Sequence, residues 1–331
     1  MQPKVSIIVP SYNHGRFLRA AVESALSQTF EDWRMLVLDD CSPDDSVEIA
    51  RCIKDARISV AANERNLGTY GTQQRGLDET ESDYVAILNS DDLWEPAKLQ
   101  AQVEALDASP DSGFCYTLGW KIDAQGEVDR SEDVHLDWPV SDRQELLPYL
   151  LYENRVLASG VLFRRSGLRF DPTCRYSGDW VSLLEIARRR PCACVPERLT
   201  YWRIHGANTF TASQKQLLEE IRVREAISGF PHWFVPRLDR SPIACGLAKN
   251  AMNLTSLYAV FLDSGKARRS ALSALRMHPR KGLALKRALG AFAPAHRFRS
   301  HLWGDKLDWS GIDEAAGREG LRSQRPLEIS L

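Results

Sequence analysis

Residues 83–94 read DYVAILNSDDLW. An apolar run, Tyr84 to Leu88, ends on two adjacent carboxylates, Asp91 and Asp92, with Trp94 just beyond. A continuous apolar run of this length is what a strand covered on both faces presents. Two neighbouring carboxylates repel each other unless a cation, a proton or open water relieves them. Taken alone, the pair fits a polar strand-to-helix turn, where Asp is common. It also fits a site for a hard divalent cation such as Mg²⁺ or Mn²⁺, held by one or two carboxylates plus substrate phosphates.

Upstream, strand and helix signals alternate at short intervals. Val5 to Val9 is a β-branched strand run, and Leu18, Ala21, Val22, Ala25 and Leu26 form one helical stripe. Trp33 to Leu38 is a second strand, ending in Asp39-Asp40. Ser42 with Asp45 resembles a capping box with Pro43 at the first helical position. A third strand near Arg57 to Ala61 leads through Asn66-Leu67-Gly68 to a helix around Tyr70 to Leu77. Downstream of the quoted stretch, Pro96 opens a helix with Leu99, Val103 and Leu106 in register. This alternation calls for a mainly parallel sheet flanked by helices, in which ligands sit beyond the carboxyl ends of the strands. Asp39, Asp40, Asp91 and Asp92 all fall at such ends.

From about Ser112 the pattern shifts to shorter strands: a hairpin through Phe114 to Trp120 and Asp123 to Gly126, then Ala158 to Phe163 and Leu199 to Ile204. A helix is expected around Trp180 to Arg190, and further helices at 214–227, 243–262, 267–277 and 281–292. Of the chain's 331 residues, those through Phe210 carry 23 Lys+Arg against 33 Asp+Glu, and the remainder 20 against 11. Such a split separates two regions with different surroundings. Residues 266–299 hold ten Lys/Arg and no acid, which suits a solvated helical face or contact with an anionic lipid surface. The basic residues lack interleaved aromatics, so no nucleic acid is expected as a partner. Seven scattered cysteines without a Cys-x-x-Cys pair favour neither a disulfide framework nor a zinc site. With no signal-peptide pattern and no membrane-length apolar run, a cytoplasmic location is expected, peripheral at the inner face of the membrane if 266–299 meets lipid.

Five motifs in order resemble the family 2 glycosyltransferases of inverting, GT-A type: Val5 to Asn13 (VSIIVPSYN), Ser24 to Phe30 (SALSQTF), Val37 to Ser42 (VLDDCS), Asn66-Leu67-Gly68, and Leu88 to Asp92 (LNSDD). The likeness is strong over residues 4–110 and weaker over 150–210. It implies an α/β fold with a Rossmann-like sheet and, here, a helical C-terminal extension. Its nucleotide-sugar half would be 1–110, its acceptor-side half 111–210 and the basic helical region 211–331. The resemblance implies that Pro10 and Tyr12 line the nucleotide pocket and that Asp40 accepts the N3–H of a uracil-type base. It places Asp91 near the ribose and makes Asp92 the direct metal ligand. Where relatives carry Ala-Arg-Asn-x-Gly, this chain reads Thr72-Gln73-Gln74-Arg75-Gly76.

Sugar transfer needs a group to take the acceptor hydroxyl's proton. Ser177-Gly178-Asp179-Trp180 resembles the family's Glu-Asp segment at a helix start, with Gly178 where Glu is usual, so Asp179 matches the base. The alternative reading is that Asp179 caps the helix it begins. Tyr201 to Asn208 (YWRIHGAN) resembles the family's last segment, with His205 as a metal ligand or diphosphate contact; Arg203 is expected to face the phosphates or, the favoured reading, to pair with a surface carboxylate. The implied reaction is an in-line displacement from a nucleoside diphosphate sugar, UDP-linked by family habit, to a glycan or polyprenyl-linked acceptor. A divalent ion, Mn²⁺ or Mg²⁺, would assist. Two other readings stay open: a nucleotidyltransferase, although the loop after the first strand lacks the glycines such a site needs, and a non-catalytic sugar-nucleotide-binding relative.

Overall fold

A computed structural model describes residues 2–206 apart from 132, 136–137 and 141–144, and beyond them 213–229, 242–247, 249–250, 253, 269–270 and 272–273. The chain divides into two compact units, Met1–Thr211 and Ala212–Leu331. In the first, one sheet runs in the order β3-β2-β1-β4-β8-β6-β9-β5, with β7 paired to β6. Its strands are β1 Val5–Ser11, β2 Trp33–Asp39, β3 Ile58–Ala62, β4 Tyr84–Ile87, β5 Leu93–Trp94, β6 Phe114–Ile122, β7 Val128–Asp129, β8 Val161–Arg164 and β9 Ala193–Arg203. The first four are mutually parallel, β8 is antiparallel to β4 and β6, and β9 is parallel to β6.

β1 is buried along its whole length, as an uninterrupted β-branched run requires. The helix α1, Gly15–Leu26, turns Leu18, Ala21, Val22 and Ala25 into the core. The helix α3, Thr69–Glu79, lies close on the sheet through Gly76, where a Cβ would come 2.6 Å from an Ile8 methyl. The helix α4, Lys98–Ala108, buries Leu99, Val103 and Leu106. Gln28 explains part of the SALSQTF motif: its amide donates to the Glu95 carbonyl and its oxygen accepts the Leu99 N–H, clamping the start of α4.

Three local expectations change. The capping box at Ser42 does not form: α2 is Ser46–Cys52, with Pro43 outside it. Asp39 takes the Ser42 N–H into a turn, and the Ser42 hydroxyl accepts the Asn13 N–H. Asp44 takes both the N–H and the hydroxyl of Ser46 on one oxygen and the Gly15 N–H on the other. That loop therefore ties down the start of α1 instead of extending α2. The strand expected from Ala158 begins only at Val161, because Ala158–Gly160 forms a 3₁₀ turn. The helix expected at Trp180 starts earlier, as α6, Gly178–Ala187. In the second unit α7 spans Ser213–Gly229, with Val223, Arg224 and Ile227 buried. The expected helices at 243–262, 267–277 and 281–292, and the basic stretch 266–299, lie largely outside the described residues. Among the described residues no helix is long and apolar enough to cross a membrane.

Candidate functional site

The sequence-expected acids gather at the carboxyl ends of the parallel strands, but in two groups with different partners. Asp40, just past β2, is 3 % exposed. One oxygen accepts the Asn63 amide at 2.6 Å and the Leu67 N–H at 2.7 Å; the other accepts the Gly68 N–H at 2.9 Å. It therefore moulds the loop into α3, and a base or ribose would share lone pairs already in use. Gly68 sits at φ 78°, with the Arg175 guanidinium where a Cβ would stand, so only glycine suits the turn. Tyr12 is an exposed aromatic at the end of β1, whereas Pro10 is buried within the strand. Asn13 and Cys41, which border this rim, hold left-handed φ values of 55° and 63°.

Asp91 and Asp92 point to different neighbours. Both Asp92 oxygens meet protein donors: one the Arg203 backbone N–H at 2.9 Å, the other the Ser159 hydroxyl at 2.6 Å and the Asn89 amide at 3.3 Å. Burial first, and then the Asp91 charge beside it, push the Asp92 carboxyl well above the usual carboxylate range. Asp91 instead meets His205, Nε2 to Oδ2, at 3.1 Å. One nitrogen from His14, one from His205 and one Asp91 oxygen lie within 4.8 Å of one another, the spacing of a metal-ligand set. Ser90 hydrogen-bonds His14 Nδ1 at 2.8 Å, and Phe17 lies against the His205 ring with centroids 4.7 Å apart. Desolvation lowers the His14 pKa, which favours the neutral imidazole, the form that binds a metal. A donor set of two imidazoles and a carboxylate fits a divalent first-row ion.

Sequence reasoning missed His14 and Ser159. The only signal for His14 was its place in the loop after β1; Ser159 carried none, since its role is to pin Asp92, the Asn89 N–H and the Trp94 indole together. Arg203 is not on the surface. It is 4 % exposed, bonds the carbonyls of Asp91 and Asp123, and lies over the Phe17 ring. Arg75 is held by Glu79, the Ala62 carbonyl and Asn63.

Asp179 lies in the first turn of α6, yet the N-cap is Ser177 and no side chain caps that helix. The Asp179 carboxylate is half-buried and accepts the Tyr70 hydroxyl at 3.0 Å. A Cβ on Gly178 would fall 2.5 Å from the Tyr70 ring, so the glycine that departs from the family pattern makes room for that ring. Among the hydrogen bonds described, none joins Asp40 or Asp179 directly to Asp91, Asp92 or His205. Two open hollows of 660 and 560 Å³ flank α3, and neither is lined by these five residues.

An α/β sheet with acidic and histidine side chains at its carboxyl rim is the architecture of the GT-A glycosyltransferases. Two solved structures share the fold. One is S. aureus TarS 1–349 in complex with UDP-GlcNAc, at TM-score 0.65 and 15 % identity over 90 % of this chain and 91 % of that one. The other is the mannosyltransferase PcManGT from Pyrobaculum calidifontis in complex with GDP-Man and Mn²⁺, at TM-score 0.58 and 15 % identity over 91 % and 83 %. Residues 6–169 match glycosyl transferase family 2, and over that stretch the chain belongs to this family. A curated relative from Escherichia coli, the UDP-Glc:alpha-D-GlcNAc-diphosphoundecaprenol beta-1,3-glucosyltransferase WfaP, is 38 % identical over 103 residues, which are 31 % of this chain and 41 % of that protein. A Bacillus subtilis relative is matched over 53 % of its length, so the chain spans about half or less of these relatives.

Proposed function

We propose that this chain transfers a sugar from a nucleoside diphosphate sugar, UDP-linked, to a hydroxyl of a lipid-linked or growing glycan, with inversion at the anomeric carbon. The observation that carries the reading is the His14–Asp91–His205 cluster at the strand-end rim of a family 2 chain. The names of WfaP and of the TarS complex support a UDP-linked donor, and that of WfaP supports a diphosphate-lipid acceptor.

In this reading Asp91, His205 and His14 hold a divalent ion; with two nitrogen donors, Mn²⁺ is favoured over Mg²⁺. Bound there, the ion would supply positive charge against a departing diphosphate. Asp92 serves as the clamp that fixes Asp91: it ties the loop to β9 and to Ser159, and Arg203 holds the Asp91 carbonyl from the other side. Tyr12 offers its exposed ring to a base, and Asp40 orders the loop that leads into α3. Asp179 takes the acceptor hydroxyl's proton as the new bond forms on the face opposite the leaving group. A panel of sugar nucleotides, each incubated with and without Mn²⁺ and scored for released nucleoside diphosphate, tests the reading. Mn²⁺-dependent release from a UDP-sugar is expected; no release from any member overturns it.

A further inference from the structure

We infer that Tyr70 is a positioning residue for Asp179: its phenol fixes the carboxylate in place, and position 178 is glycine so that the ring can do so. The inference deepens the proposed function and rests on Asp179 as the base.

Tyr70 is 6 % exposed and lies in the first turn of α3, far in sequence from Asp179. Its ring stands on the backbone of Gly178. A Cβ there would meet Cγ, Cδ2 and Cδ1 at 2.5, 2.6 and 2.8 Å. These atoms sit near the root of a buried ring and cannot swing aside as the tip of a long side chain can, so any side chain at 178 displaces the ring. The hydroxyl then reaches Asp179 at 3.0 Å. An O–H donor to a carboxylate is a charge-assisted bond that favours the ionised acid, and the first turn of a helix favours negative charge as well. Orientation matters equally, because a base must hold hydrogen-bond geometry to the attacking hydroxyl.

The anchor of Tyr70 is also informative. The Leu67 and Gly68 N–H groups, two and three residues before it, are gripped by Asp40. One short run of chain therefore links the carboxylate on the nucleotide side to the carboxylate on the acceptor side.

The test has a substrate-free arm and a turnover arm. In protein labelled with [¹³Cζ]tyrosine, the one resonance of nine that vanishes in Tyr70→Phe belongs to Tyr70. It is expected to shift in Asp179→Asn and in Gly178→Ala while the others hold still; an unmoved resonance overturns the inference whatever the enzyme's substrate. With the sugar nucleotide selected by the release panel, Tyr70→Phe keeps the ring and its packing. It is expected to lower kcat about tenfold, the scale of one hydrogen bond to a charged group, with donor KM within about twofold. Gly178→Ala is expected to reproduce the loss, and Tyr70→Phe should cost nothing further in the Asp179→Asn background. An inactive Asp179→Asn beside a fully active Tyr70→Phe sinks this inference alone. A fully active Asp179→Asn sinks the base assignment itself, and the resonance still decides whether the contact exists.

Discussion

Replacing Asp91 and Asp92 one at a time with alanine separates two jobs that adjacent letters run together. Asp92→Ala removes the acceptor of the Arg203 backbone N–H, the Ser159 hydroxyl and the Asn89 amide. A buried donor left unsatisfied costs about 1–3 kcal/mol. Against this, the substitution relieves the burial of a carboxylate and its repulsion by Asp91, the two effects that raise its pKa. The net expectation is a loss of stability on the order of 3 kcal/mol, read as a lower urea midpoint with unchanged slope. Asp91→Ala removes a proposed ligand and leaves the Asp92 clamp in place, so its unfolding free energy stays within about 1 kcal/mol of wild type. Its Mn²⁺ affinity, measured calorimetrically, falls by at least about 100-fold. The reverse outcome would refute the division of labour: Asp92→Ala stable but unable to bind Mn²⁺, and Asp91→Ala binding it as wild type does.

Two further outcomes concern the frame that carries the site. Lys98 is fully buried, bonds Gln102 and lies under the Trp94 ring, and burial lowers its pKa from 10.5 to about 7; the unfolded chain thus binds the extra proton between those values, so stability rises with pH. Between pH 7 and 9 this gives wild type about 2 kcal/mol that Lys98→Met should lack, and parallel urea curves for the two proteins across that range would exclude it. Cys41 holds φ 63° beside Asp40, a conformation that costs a non-glycine residue about 1 kcal/mol. Cys41→Gly should therefore raise the thermal midpoint by a few degrees or leave it level, and a clear drop would show that the thiol contributes more than its backbone strain costs.

How much of this could be read from the letters depends on where each residue finds its partner. β1 and the stripes of α1 and α4 were legible because burial on a regular element is periodic, and Val5 to Val9 or Leu99, Val103 and Leu106 carry that period openly. The capping box at Ser42 misled because local pattern cannot know that Asn13, from another loop, takes the Ser42 hydroxyl as its acceptor. Arg203 looked like a surface cation because nothing nearby in sequence announces the Asp91 and Asp123 carbonyls it holds.

The acidic pair is the sharper case. A motif says that two carboxylates follow a strand, but successive residues face different ways, and which one is spent on the fold is decided by the remote Ser159 and Arg203. Once those claim Asp92, the residue left to face His14 and His205 is Asp91. The same logic governs Gly178. Read in its own segment it is a lost acid; read against Tyr70 it is the space that lets a phenol reach Asp179. In both places the motif names the side chains available, and a distant segment fixes the task each one performs.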